Sequence, residues 1–540
     1  MSPLPYSNGV LKRSAVHFLI GKVASALLTF TFLLWLVRLL AVEEYSIYVT
    51  LVAGTELTLF VTSLGLPWVA VRYLPEFRLY ANGKQLTKFA LQVIAQVCIY
   101  TVLGAVLLFI IMPWLLIPMK LEQQIDIARF YLLVLVLEGL RRNIQECILE
   151  PLLLQGQTQF SQVSRNLVLL LCLGLMTTQG TVHLHHVVWA ELAGTIAGTT
   201  SALYGLFRHL RLYRHLPGNN DWNPPIWSNM WRTGRHMYLS GLIKIPYGQT
   251  TFIFLTQHFL GAEATALLGF SLNLYRQISD YLPANLLFSV IRPKLIASYV
   301  GENSMAQLTQ NANFLGKLSL FILMPLLVCS WLVGDELLSL LSGGKFIQTG
   351  YYLGGLLLML IPSSQTQILA TVAVASGRSH LCFWGCSLGV LSLPLAFWLF
   401  QWGQGLWSPI MAMLAGQVLF NFTIITSMSF TTDYRPDGIG FFKLVAAAVI
   451  GFLLCILSKM AWVSVFQTPH MSDFFGLLNN NDITFNLLAY NTEIKMQDWQ
   501  NLALTTALSC GFFLLASYFF KPFRVEEQMR LIQLLNNKLK

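Results

Sequence analysis

Fourteen apolar segments of near-bilayer length follow one another along the chain, at about 15–40, 45–72, 89–111, 129–153, 164–178, 187–207, 237–260, 265–290, 312–334, 350–376, 381–400, 407–430, 441–466 and 499–520. A helix rises 1.5 Å per residue, so roughly 20 such residues cross a ~30 Å hydrocarbon core. The pattern predicts an all-α polytopic membrane protein of about 14 transmembrane helices. Two polar stretches are longer than the rest. Residues 208–236, with Pro217, Gly218, Pro224 and Pro225, separate six spans from eight, and 467–498 forms the other. Beyond Lys521, Val525, Met529, Ile532 and Leu535 recur at helical spacing among basic residues, which predicts an amphipathic helix on the membrane surface. The organisation read from this is an N-lobe at 1–207, a linker at 208–236, a C-lobe at 237–430, two further spans with their loop at 431–520, and a tail at 521–540.

Composition supports the same class. Hydrophobic residues make up 55%, charged residues only 11%, and the mean hydropathy is +0.61; a soluble domain carries about a quarter charged residues. The first apolar run follows Lys12 and Arg13 and is too long for a signal-peptide core, so it reads as an uncleaved span. Of the Lys and Arg residues in the loops and at the span ends, 22, Arg165 among them, fall on one side and five (Arg38, Lys120, Arg129, Lys345, Lys495) on the other. That asymmetry places both termini in the cytoplasm. The net charge of +10 is then a topology signal, with no nucleic acid implied. All eight cysteines lie in apolar segments, and neither Cys382 with Cys386 nor the His183-Leu184-His185-His186 run reads as a metal site. Gly343-Gly344-Lys345 lacks the spacing of a phosphate-binding loop, so no ATP hydrolysis is expected.

The chain also repeats itself at a shift of about 220 residues. Leu40-Ala41-Val42-Glu43 matches Leu260-Gly261-Ala262-Glu263, Glu56 falls on Arg276, Arg72 falls on Arg292, and Gln155-Gly156-Gln157 meets Ser376-Gly377-Arg378. Six spans separate the copies, so the halves share one orientation and form a parallel pseudo-twofold repeat.

Three segments, Arg38-Leu39-Leu40-Ala41-Val42-Glu43-Glu44-Tyr45, Ser63-Leu64-Gly65-Leu66-Pro67 and Arg72-Tyr73-Leu74-Pro75-Glu76, resemble the opening hairpin of the polysaccharide flippases. These belong to the multidrug/oligosaccharidyl-lipid/polysaccharide exporter superfamily. Leu154-Gln155-Gly156-Gln157 and Ala375-Ser376-Gly377-Arg378 resemble its turns after spans four and ten. The resemblance implies two six-helix lobes in a V, opening alternately to each side of a bacterial inner membrane, plus two extra C-terminal helices. It implies a flippase for a polyprenyl-diphosphate-linked oligosaccharide, working beside a glycan polymerase and a chain-length regulator. A lipid II flippase and a multidrug cation exporter are the alternatives. No cofactor is implied beyond an H+ or Na+ gradient or the membrane potential.

Charges within the spans are the candidate chemistry, because an ionised side chain at mid-membrane costs about 3 kcal/mol or more. Glu56 lies near the middle of span two, and Arg276 holds the matching place on span eight, so the two are candidates to pair across a cavity. Asp280, four residues on from Arg276, is the competing partner. Lys22 and Lys244, at similar depth in spans one and seven, would meet an anionic headgroup together with Arg276, whose guanidinium matches phosphate oxygens. Glu56 and Asp280 are the candidate coupling or gating acids. On span four, Glu138, Arg142, Glu146 and Glu150 form an i,i+4 ladder beside Arg141, read mainly as structural, with Glu138 and Arg142 as secondary candidates. Glu191 and Lys317 are assigned to the interface, and Lys459 to span thirteen. Pro67, Pro246, Pro283, Pro325, Pro362 and Pro394 are expected to kink their spans, and Gly194 with Gly198 to pack within a lobe.

Overall fold

The computed structural model describes residues 8–214, 222–282, 305–346, 349–376, 378, 380–432, 434–466, 496–524 and 527–528. Among these residues there is no strand, and nine helices are long and apolar enough to cross a membrane. The protein is a multi-pass, all-helical membrane protein. Contacts divide it into two units, Met1–Gly269 and Phe270–Lys540, with the division inside one helix.

The first unit opens with α1 (Asn8–Leu39) and α2 (Val42–Thr62). The second apolar run was expected to continue unbroken to residue 72. It stops instead at Thr62 because Leu64 and Gly65 take left-handed backbone (φ 46° and 80°), and α3 (Leu66–Tyr80) starts afresh. Pro67 therefore sits in the first turn of α3, where its missing N–H costs nothing, and does not kink a span. A reciprocal Asn82–Gln85 capping box starts α4 (Gly83–Leu116). Next come α5 (Ile125–Ile144), α6 (Gln155–Thr177) and α7 (Leu184–Tyr213). A π-helical turn, Gln145–Leu149, ends α5, and the Arg78 guanidinium donates to the Leu152 carbonyl just beyond it. Around that turn an apolar core joins α3, α4 and α7, with Phe77 stacked on Phe89 at 4.3 Å. The seventh span breaks as its proline foretold, into α8 (Trp227–Lys244), a 3₁₀ turn holding Pro246, and α9 (Gln249–Phe259).

The helix α10 (Ala262–Tyr281) crosses the division between units. Pro283, Arg292, Lys294 and the rest of the eighth apolar run lie outside the described residues. The repeat is visible in the backbone: α1 ends at Leu39 and α2 starts at Val42, while α9 ends at Phe259 and α10 starts at Ala262, both offset by 220 residues.

The second unit continues through α11 (Met305–Ser342), interrupted at Val333, then α12 (Gly350–Leu358) and α13 (Leu360–Ala375). It is completed by α14 (His380–Gly389), α15 (Ser392–Gln401), α16 (Trp407–Thr431), α17 (Gly438–Phe466) and α18 (Met496–Phe520). α17 and α18 pack on each other and on α11. The loop at 467–495, the Lys459 side chain and the tail from 529 onward lie outside the described residues.

Lys317 departs from its interfacial assignment. It is fully buried on α11, with its ammonium 2.9 Å from Asp437 and 2.5 Å from Glu527, and Pro522 O at 3.4 Å. The tail is thus tied into the unit at its root: Phe523 and Glu527 are buried, and Arg524 reaches Asp437 at 3.4 Å. The reason is local. The chain leaves α18 through a left-handed Lys521 (φ 45°) and turns back beneath α11.

Candidate functional site

In the first unit the charged residues of four helices converge. Successive side chains 138, 141 and 142 share one face of α5, so Glu138 meets the guanidinium of Arg141 at 2.5 Å and that of Arg142 at 2.7 Å. From α6, Arg165 reaches the other oxygen of Glu138 at 3.2 Å and Glu191 of α7 at 3.5 Å. Glu191 also accepts from the hydroxyls of Tyr48 (2.9 Å) and Tyr131 (2.5 Å). Arg141 donates further to Gln145 (2.8 Å) and Gln162 (2.6 Å). At the far end Arg142 meets Glu56 of α2 at 3.2 Å.

Glycine makes this approach feasible. A Cβ on Gly198 would lie 2.8 Å from Arg141 Cδ and 3.0 Å from Arg165 Cβ, so only hydrogen lets both stems pass α7. Gly194 lies as close to Arg165 and Leu169. The expected within-lobe packing role of this pair is therefore realised against α5 and α6. Gly198→Ala should push one stem aside and lower thermal stability by about 1–3 kcal/mol; melting at the wild-type temperature in detergent would refute this.

Two members were missed in the sequence. A fifth span starting at 164 puts Arg165 among the cytoplasmic cations, whereas α6 begins at Gln155, which sets Arg165 ten residues, or ~15 Å, into the helix. Glu191 was assigned to the interface, but the structure buries it (3% exposed). The available signal was the turn at Leu154-Gln155-Gly156, which marks the true start of α6.

The array is dry at one end and open at the other. Glu138, Arg141 and Glu191 are buried, whereas the side chains of Glu56 and Arg142 are 33% and 36% exposed. Along the open end lie Glu146, exposed, and Glu150, half-buried, with the charge of Lys22 on α1 acting on Glu150. Of the other sequence candidates, Lys244 belongs to the first unit and Arg276 and Asp280 to the second. Lys244 is exposed at the last position of α8, immediately before the Pro246 turn. Arg276 is half-buried on α10 beside Tyr275, and Asp280 is exposed beside Tyr281. Glu56 has Arg142 as an ion-pair partner inside its own unit, a pairing the spacing alone did not suggest. His183 contacts Glu44 at 3.2 Å, and its backbone N–H donates to His186, so this run serves the start of α7.

No family model and no curated protein matches the sequence. Solved structures do match the fold. A lipid II flippase MurJ in an inward closed conformation aligns with a TM-score of 0.66 at 12% identity, over 94% of this chain and 99% of that one. An inward-facing multidrug resistance MATE family transporter of the MOP superfamily gives 0.57 at 12%, over 75% and 93%. A MATE in the straight conformation gives 0.51 at 14%, over 78% and 96%. The chain has the fold that these flippase and multidrug-transporter structures share.

Proposed function

We propose that the protein is a flippase that moves a polyprenyl-diphosphate-linked oligosaccharide from the inner to the outer leaflet of a bacterial inner membrane by alternating access. The observation that carries this reading is the half-open ionic face of Lys22, Glu56, Arg142, Glu146 and Glu150 on helices of a membrane-spanning lobe. Ionised groups at that depth are costly and mark polar pathways. In this reading Lys22, Lys244 and Arg276 receive the diphosphate, Glu56 and Asp280 couple or gate, and an ion gradient or the membrane potential drives the cycle. A glycan polymerase and a chain-length regulator act on the product.

Arg276→Ala should abolish glycan translocation in proteoliposomes while the protein inserts at the wild-type level, and Arg276→Lys should retain part of it. Wild-type flux in Arg276→Ala removes that residue from the site. Orientation is tested separately in a cysteine-free background: Asn480→Cys should label from outside and Gly218→Cys only after the membrane is opened. The converse pattern overturns the topology.

Two other cargoes each have an observation in their favour. Three carboxylates against two cations on the open face favour a cationic drug, and uptake of an organic cation by the same vesicles tests it. The alignment over 94% of the chain favours lipid II, the substrate named for that neighbour.

A further inference from the structure

A cationic groove that shares no lining residue with the ionic array lies between the start of α4 and the end of α7. It is an open groove with a volume of about 920 Å³. These helix ends are neighbours because α4 begins with glycine: a Cβ on Gly83 would stand 2.0 Å from the Tyr213 carbonyl oxygen. Lys84 and Lys88 are one turn apart on α4, Arg211 and Arg214 close the end of α7, and all four line the cavity. Each is exposed, and among the described residues none of the four makes an ion pair.

The walls change character with depth. Moving from Lys84 to Ala95 covers eleven residues, ~16 Å along α4. Along α4 the lining runs Lys84, Thr87, Lys88, Leu91, Gln92 and Ala95, and on α7 Phe207 lies one turn inward of Arg211, so the cations are nearest the helix ends and Leu91, Ala95 and Phe207 nearest the middle. Leu91 and Phe207 are large apolar side chains exposed at 42% and 55%. A basic rim above an apolar trough between transmembrane helices has the polarity of a phospholipid: phosphate at the rim, acyl chain along the trough. Positive-inside bias and the dipole at the end of α7 account for basic residues there, but not for a groove that continues from them over an apolar floor.

We propose that this cavity binds an anionic glycerophospholipid of the cytoplasmic leaflet, its phosphate held by Lys84, Lys88, Arg211 and Arg214 and one acyl chain laid against Leu91, Ala95 and Phe207. The leaflet assignment rests on the orientation read from the Lys/Arg bias; the site itself is independent of the cargo.

The test is lipid binding to the purified full-length protein in neutral detergent, followed by native mass spectrometry and thermal shift. The probes are phosphatidylglycerol, phosphatidylcholine, inorganic diphosphate and a polyprenyl diphosphate. Phosphatidylglycerol should bind the wild type more tightly than phosphatidylcholine, and diphosphate ion alone should not raise the melting temperature. The Lys84→Gln/Lys88→Gln pair, and separately Arg211→Gln/Arg214→Gln, should each weaken phosphatidylglycerol about 25-fold, fivefold per cation. Ala95→Trp, which fills the trough and leaves every charge in place, should weaken it at least about tenfold. Equal binding of the two phospholipids, or unchanged binding in these variants, overturns the proposal. So does loss of polyprenyl diphosphate binding alone, which would give the cavity to the transported lipid.

Discussion

Glu138→Gln should cost the first unit about 3–5 kcal/mol, the scale for breaking a buried ion pair from one side. Glu138 is 4% exposed and lies against three guanidiniums: Arg141, Arg142 and Arg165. An amide in its place leaves those cations with Glu56 at one end of the array and Glu191 at the other. Against a typical total stability of about 5–15 kcal/mol, that loss is large. Unfolding of the purified variant in mild detergent should shift accordingly, with lower monodisperse yield. Adding Arg141→Met should recover part of the loss, because one unmatched charge leaves with its partner. A Glu138→Gln protein that melts with the wild type would mean water already solvates the array.

Lys317→Met should have an effect of the same order in the second unit. It strands Asp437 and Glu527 opposite a methionine and releases the root of the tail from α11. Expected results are a destabilisation of about 3–5 kcal/mol and rapid proteolytic trimming after α18. Combining it with Glu527→Gln should cost less than the sum of the two single changes. Trimming at the wild-type rate would show that Phe523 and its apolar neighbours hold the tail without the ion pairs.

The clamp also has a definite pH dependence. Burial pushes the Asp437 carboxyl upward, but the Lys317 hydrogen bond, the Gly440 N–H and the Arg524 charge outweigh it and hold it below the usual carboxylate range. A depressed carboxylate contributes its stability fully above the unfolded value near ~4 and loses it as pH falls through the lower, folded value. Tail protection measured by proteolysis should therefore stay flat from neutral pH down to about 4 and fail only below that.

Much of the architecture was legible because spanning segments must be apolar over a length set by the bilayer. The helices, the 220-residue offset and the break at Pro246 follow from hydropathy, register and a missing backbone donor. The interruption of the second apolar run at Leu64-Gly65 did not, since hydropathy barely changes where the backbone turns left-handed.

The charges divide along the same line. Spacing along one helix placed Glu138 beside Arg142, because i,i+4 neighbours share a face whatever surrounds them. Which helix supplies the remaining partners is decided by packing. Arg165 and Glu191 enter the array because Gly194 and Gly198 let α7 close on α6, and Lys317 meets Glu527, 210 residues away, because the chain folds back after α18. Local periodicity is written residue by residue in the chain, whereas a partner across the lobe depends on how several helices seat together, and only the folded molecule contains that.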